Sequence, residues 1–326
     1  MTRKKIKNIL KFIVSISLIY FIIKKVGVAQ FGEDLKNLNL YYLFLAFFFN
    51  LVSTFIQAER LRIIVSGQKI KINYLKAYKF NLISTFFGIF LPTVIGGDVI
   101  KMALLSSHSG KKAVSVGVVT MDRVIGTYAL VVIALVGGII GRNHLTNVIV
   151  LYTIAAFVIV FIAFLTLNIK SIWESFWKFV EPKFGKKFAS INIYVQTLQS
   201  YGILTTHFLK AFVWSLIFYL AIIMSSYFVS LSLGLNISLL VFFVFVPLLS
   251  LASMAPISIS GIGVRESVSV IFFSTIGISS SLGVLLSFIP FVLKIMMGLA
   301  GGIIYATTGI VGDKVANKKN EITINK

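Results

Sequence analysis

The 326 residues carry 31 Lys and Arg against 10 Asp and Glu and no cysteine, with 58% hydrophobic and 13% charged residues. A soluble domain is roughly 45–50% apolar and about 25% charged, so an ordinary cytosolic enzyme, a disordered chain and a disulfide-stapled secreted scaffold are excluded. With no Cys and with His108, His144 and His207 far apart in the chain, no metal centre and no thiol chemistry is expected.

The apolar residues come in blocks, and a membrane crossing needs about 20 of them. Residues 6–26 form the first block, with Arg3, Lys4, Lys5 and Lys7 before it and Lys24 and Lys25 at its end. No small-residue cleavage site follows, so an uncleaved helix with its N-terminus inside is expected. Residues 40–58 are the next span, and 59–79, with Arg60, Arg62, Lys69, Lys71, Lys76 and Lys79, read as a cytoplasmic loop. The apolar run 80–95 is broken by Pro92 and followed by Gly96 and Gly97, and Lys101, Lys111 and Lys112 then form another basic stretch. Two basic loops on one side need an even number of crossings, and 16 residues cannot cross twice. A re-entrant hairpin turning near Pro92 resolves this.

Residues 113–141 run outward and 145–168 inward, with Arg142 between them. The basic segment that follows spaces Trp173, Phe176, Trp177 and Val180 along one helical face. After Pro182 it does the same with Phe184, Phe188, Ile191, Val195 and Leu198, which predicts two helices lying in the interface plane. Residues 208–233 go out and 238–255 start back; 266–278 are too few for a full crossing; 281–310 form the last span before Lys314, Lys318 and Lys319. The prediction is an all-α polytopic membrane protein of six to eight transmembrane helices with one or two re-entrant loops. It forms one integral domain: a first half 1–168, an amphipathic segment 170–206, a second half 207–310 and a basic tail 311–326. Six spans with two loops and eight with one both leave the tail inside. The net charge of +21 then reads as juxtamembrane Lys and Arg in the cell membrane with both termini cytoplasmic, and no nucleic acid is expected as partner.

Charges inside a bilayer cost about 2.5–3.5 kcal/mol each on insertion scales, so they pair or line a wet cavity. This reading leaves Arg123, Arg265 and Lys294 within the membrane zone, near Asp98, Asp122 and Glu266. Adjacent helical residues point about 100° apart, so Asp122 and Arg123 are expected to find partners on other segments. Pro92-x4-Gly97-x3-Lys101 matches Pro256-x4-Gly261-x3-Arg265 position for position. Broken Gly/Pro segments at matching places in two halves are the sequence pointer to a transporter binding site. If the two loops enter from opposite faces, their tips meet as in an inverted repeat.

Residues 91–101 (LPTVIGGDVIK), followed by Asp122-Arg123, resemble the first signature of a flippase-like membrane family. That family includes the transmembrane region of lysylphosphatidylglycerol synthases (multiple peptide resistance factors) and an archaeal dolichol-linked sugar transfer protein. Gly261-Ile-Gly263-Val-Arg265-Glu266 with Lys294 is similar to the second signature. Lys101 and Lys294 stand where Arg is expected, Asp122 where Glu is common, and Ser260 where a Gly precedes Gly261. Synthase activity goes with a soluble aminoacyl-transfer domain, which these residues do not contain, so lysyltransferase activity and catalytic residues are not expected.

The resulting expectation is binding and translocation of an anionic phospholipid or a polyprenyl-linked precursor, with no cofactor. Lys101, Arg123, Arg265 and Lys294 would hold the headgroup. Asp98, Asp122 and Glu266 would neutralise those cations or bind its polar parts. Gly96, Gly97, Gly261 and Gly263 would supply backbone donors and room, and Pro92 and Pro256 would break the loops. Two other classes compete: a membrane-embedded lipid-linked transferase, and an accessory partner of a lipid-modifying enzyme.

Overall fold

Polar side chains at three loop ends start three of the helices. In the computed structural model, which describes residues 28–91, 96–141, 205–254, 261–308 and isolated positions between 151 and 201, Asn39, Asn73 and Thr205 each accept a backbone N–H of the following first turn. Such N-caps satisfy donors that have no partner within the helix. Among the described residues all regular structure is helical: α1 (Val28–Lys36), α2 (Leu40–Ser66), α3 (Tyr74–Phe90), α4 (Gly96–Ser109), α5 (Lys112–Ile140), α6 (Thr206–Ser232), α7 (Leu239–Met254), α8 (Val264–Ser274) and α9 (Ser280–Thr308). Four of these, α2, α5, α6 and α9, are long and apolar enough to cross a membrane.

The boundaries of α5, α6, α7 and α9 fall within two residues of those read from hydropathy. α2 does not. It continues through Ser66, so residues 59–66 are helix rather than loop, and only residues 67–73 connect it to α3. The physical reason is that Leu61, Ile64 and Val65 prolong the buried face and no Gly or Pro interrupts it before Gly67. Exposed Arg62 is held by Glu59 one turn earlier, through N–H···O bonds of 2.8 and 2.6 Å. The expected crossings at 6–26 and 145–168, the amphipathic run from Trp173 to Val195, Pro92, Pro256 and the tail lie outside the described residues. From segment 170–206, Thr197 and Tyr201 are described and buried. The Tyr201 hydroxyl donates to the Ile64 carbonyl of α2, and burial raises its pKa, which keeps it a donor.

The helices fall into two units of matching order. α2 to α5 have 27, 17, 14 and 29 residues, and α6 to α9 have 27, 16, 11 and 29. The two leading helices pack along their whole length in opposite directions. Asn39 N–H donates to Ser232 O, Ser225 to Ala46 O and Arg60 to Ser215, while Gly67 lies beside His207. Each unit then leans on the other: α3 packs on α9 and α5 on α7.

α3 and α4 form an antiparallel hairpin. Its base is tied by His108 Nε2 and Lys71 O at 2.9 Å, and its upper part by Ser84 Oγ donating to Gly97 O at 2.6 Å. Only a glycine fits at 97, because a Cβ there would stand 2.5 Å from the Ser84 carbonyl oxygen. α7 and α8 form the matching second hairpin, and α8 returns beside α9, where Ser269 donates to Gly283 O. One apolar cluster gathers Ile223, Phe242, Phe245, Phe273 and Leu285 towards one end; a second gathers Ile64, Phe80, Ile83, Leu104 and Ile125 towards the other. Arg60, Lys101 and Asp122 lie beside residues of the second cluster, Leu61, Leu104, Met121 and Ile125.

The α3–α9 contact is set by backbone proximity, since a Cβ on Gly301 would run into the Leu82 carbonyl. Gly301→Ala is therefore expected to lower stability by about 1–3 kcal/mol, the usual cost of overpacking, seen as a lower unfolding midpoint in detergent. Gly32→Ala, with open space around it, should leave the midpoint unchanged or raise it slightly.

Candidate functional site

Asp122 lies ten residues into α5, about 15 Å along the helix from its start. Its side chain is only 4% exposed and it faces two cations: Arg60 Nη2 at 2.7 Å from Oδ1 and Lys101 Nζ at 3.2 Å from Oδ2. One carboxylate thus joins α2, α4 and α5. Arg60 also reaches Ser215 Oγ at 3.4 Å, shares its surroundings beside Gly126 with the Tyr219 hydroxyl and lies 5.3 Å from the Phe218 ring centre, bringing α6 into the same knot.

Arg123, one residue on, points elsewhere. Its Nε and Nη2 donate to the two oxygens of Asp98 at 2.7 and 3.0 Å, a fork-on-fork pair. Asp98 sits in the first turn of α4 and is buried, a position where a carboxylate also meets the positive end of the helix dipole. The Arg123 side chain is 49% exposed. An Arg carries five N–H donors, and among the described residues two of them, on Nε and Nη2, are shown bonded.

The second hairpin handles its cation differently. Arg265 donates to Glu266 at 3.2 Å and lays its guanidinium 3.9 Å from the centre of the Phe291 ring on α9. Glu266 turns back to accept the N–H of Gly263 at 2.6 Å, closing the start of α8. Gly263 there has φ of +86° and Gly261 of +76°, backbone that side chains other than glycine adopt only with strain. Gly96 and Gly97 are ordinary buried residues of the first turn of α4; their use is close packing, not an unusual φ.

Lys294 is the outlier. It has no ion pair with any described carboxylate, yet it lies within electrostatic range of Arg265, Arg123 and Asp98. On α9 the exposed apolar stripe is Phe288, Val292, Met296, Leu299 and Ile303. At about 100° per residue Lys294 points some 200° away from Val292, on the side of the packed residues Met297 and Gly301. Despite that inward direction Lys294 is exposed. Lys294 thus lies on the packed side of α9 and still reaches the protein's surface.

The expected site residues Asp98, Lys101, Asp122, Arg123, Arg265, Glu266 and Lys294 therefore converge across α4, α5, α8 and α9. The expectation that Asp122 and Arg123 bind other segments holds. Asp98 is paired with Arg123, whereas the sequence grouped it with neighbouring Lys101. Arg60 is not among the residues expected to form the site. Together with Lys101 it was assigned to basic loops, and both are buried in helices instead. The signal was present: Ser53, Ile56, Arg60 and Ile64 recur on one buried face of α2.

Membrane-length helices that bury paired charges near their middles define a multi-pass helical membrane protein built around a polar centre. Residues 8–302 match the family described as the lysylphosphatidylglycerol synthase TM region, and the chain belongs to that family, as the resemblance at residues 91–101 and 261–266 implied. Comparisons with curated proteins and with solved structures return no match.

Removing the carboxylate that joins three helices should be felt as lost stability. Asp122→Asn leaves Arg60 and Lys101 buried together without a counter-charge, at an expected cost of about 3–5 kcal/mol. Adding Lys101→Met should restore part of it. Unfolding midpoints of the purified single and double variants check both.

Proposed function

We propose that this protein binds and translocates a lipid with an anionic, phosphate-bearing headgroup, an anionic phospholipid or a polyprenyl-linked precursor. The observation that carries the reading is a charge imbalance. Arg60, Lys101, Arg123, Arg265 and Lys294 meet Asp98, Asp122 and Glu266 in one region, five cations to three carboxylates. Uncompensated positive charge between helices in a low-dielectric surround is a place for an anion. The members split by their environment. Arg60, Lys101 and Asp122 are buried and paired with one another, so they build the site. Arg123 and Lys294 are exposed, so they are the ones to meet a headgroup.

Topologically, the reading is an inverted repeat in which the α3–α4 and α7–α8 hairpins enter the membrane from opposite faces and turn within it. The lengths support this: 17 and 16 residues for α3 and α7 give about 25 Å, against about 40 Å for the 27-residue α2 and α6. The basic end, with Lys69, Lys71, Lys76, Lys111 and Lys112, faces the cytoplasm of a cell membrane under the positive-inside rule. Because the chain has no cysteine, single thiols report sidedness cleanly. Lys111→Cys and Ser279→Cys should label from opposite faces of intact cells, and labelling from the same face would overturn the inverted arrangement.

Function is tested in liposomes carrying fluorescent phosphatidylglycerol, phosphatidylcholine or polyprenyl phosphate in one leaflet, read by an impermeant quencher. The protein should move the anionic lipids. Lys294→Met, which breaks no ion pair, should slow that movement about tenfold or more while leaving the unfolding midpoint unchanged. A folded protein that moves none of these lipids would end the reading.

A further inference from the structure

We infer that Asp98 is a built-in competitor for the headgroup phosphate: it occupies Arg123 in the empty site, must release it for the lipid to bind, and limits how tightly the lipid is held. This deepens the lipid-translocation reading and rests on it. Three observations converge. The Asp98 carboxylate occupies the Arg123 guanidinium by the same two-pronged geometry that a phosphate uses, at 2.7 and 3.0 Å. Arg123 is nevertheless half exposed while Asp98 is buried, so the pair forms where one of its partners reaches the protein's surface. The other exposed cation, Lys294, lies within electrostatic range of Asp98 as well as Arg123.

The contrast with the other two carboxylates makes the assignment specific. Asp122 is shared between two buried cations of two other helices. Glu266 is bound to the backbone that starts α8 as well as to Arg265. Neither can leave without breaking the fold locally. Among the described residues the side chain that holds Asp98 is Arg123, itself half exposed, and Lys294 is an alternative partner once a phosphate takes Arg123. Such an exchange keeps every charge partnered as the lipid arrives and leaves. It holds the headgroup weakly enough to be released, which a translocator requires and a storage site does not.

The test is a double-mutant cycle on the full-length protein in detergent. Binding of short-chain phosphatidylglycerol is measured beside glycerol phosphate, inorganic phosphate and short-chain phosphatidylcholine. Asp98→Asn keeps volume and loses the competing charge. It should bind phosphatidylglycerol about tenfold tighter, the scale of one charged hydrogen-bonding pair, and move it more slowly in liposomes. In an Arg123→Gln background the same change should have little effect, because there is no shared partner left to contest.

If Asp98→Asn tightens binding equally in both backgrounds, Asp98 acts only as a distant negative charge and the inference fails. Equal or weaker binding by a folded Asp98→Asn protein overturns it too, while wild-type binding keeps the lipid reading intact. Should Asp98→Asn not fold, Asp98→Ser enters the same cycle; if neither folds, Asp98 is a structural counter-ion and the inference is wrong. Binding of inorganic phosphate as tightly as phosphatidylglycerol would assign the seat to a free anion. A wild-type protein that binds none of the probes removes the lipid reading and the inference together.

Discussion

A carboxylate held between an arginine and a lysine, away from water, is tolerable only while all three stay together. Asp122 imposes that condition. Separating it from Arg60 or Lys101 exposes an unpaired charge to a low-dielectric surround, which costs far more than the pairing itself contributes to stability. Because the three residues sit on α2, α4 and α5, the condition fixes where the first hairpin stands against its neighbours. Arg60 carries it on to α6. The neighbouring pair of Arg123 and Asp98, carried on α5 and α4 as well, depends on this buried anchor for its position.

The two hairpins solve one problem by different chemistry. Each presents a cation four residues after its packing glycine, Lys101 after Gly97 and Arg265 after Gly261, and each cation is held by the long helix that follows. For Lys101 the partner is a carboxylate on α5; for Arg265 it is an aromatic face on α9, Phe291. An ammonium is a compact point charge suited to a carboxylate, while a planar guanidinium stacks on a ring. Glu266 satisfies the remaining charge next door and caps α8 as well. The consequence is an asymmetric centre within a nearly symmetric frame: the first unit carries two carboxylates there, the second one.

Much of this was legible in the sequence. Hydropathy gave the long helices α5, α6 and α9. The rule that neighbours on a helix diverge separated Asp122 from Arg123. The buried helical position of Arg60 and Lys101 was hidden because a positive charge beside other positive charges reads as a loop that sets topology, although Lys101 was still expected at the site. Only the helical face running through Ser53, Ile56 and Ile64 distinguishes Arg60 from Arg62, which truly is exposed. The pairing of Asp98 with Arg123 across 25 residues is tertiary information, since sequence spacing favours the nearer Lys101. The role of Lys294 as an inward-facing yet exposed residue follows from packing on the rest of α9, which no local pattern contains.

The exchange of partners between the units, α3 against α9 and α5 against α7, bears on how such a chain is made. A helix in the first unit completes its packing only when a helix of the second arrives, and about 190 residues separate the end of α3 from the start of α9. At roughly 5–20 residues per second of synthesis, that interval is about 10–40 s. Throughout it, the glycine-facing side of α3 and the half-built charge cluster wait in the membrane beside whatever lipid is there. The ion pairs among α2, α4 and α5 can all form before α6 emerges, so the first unit can shield its charges long before it can bury its surfaces.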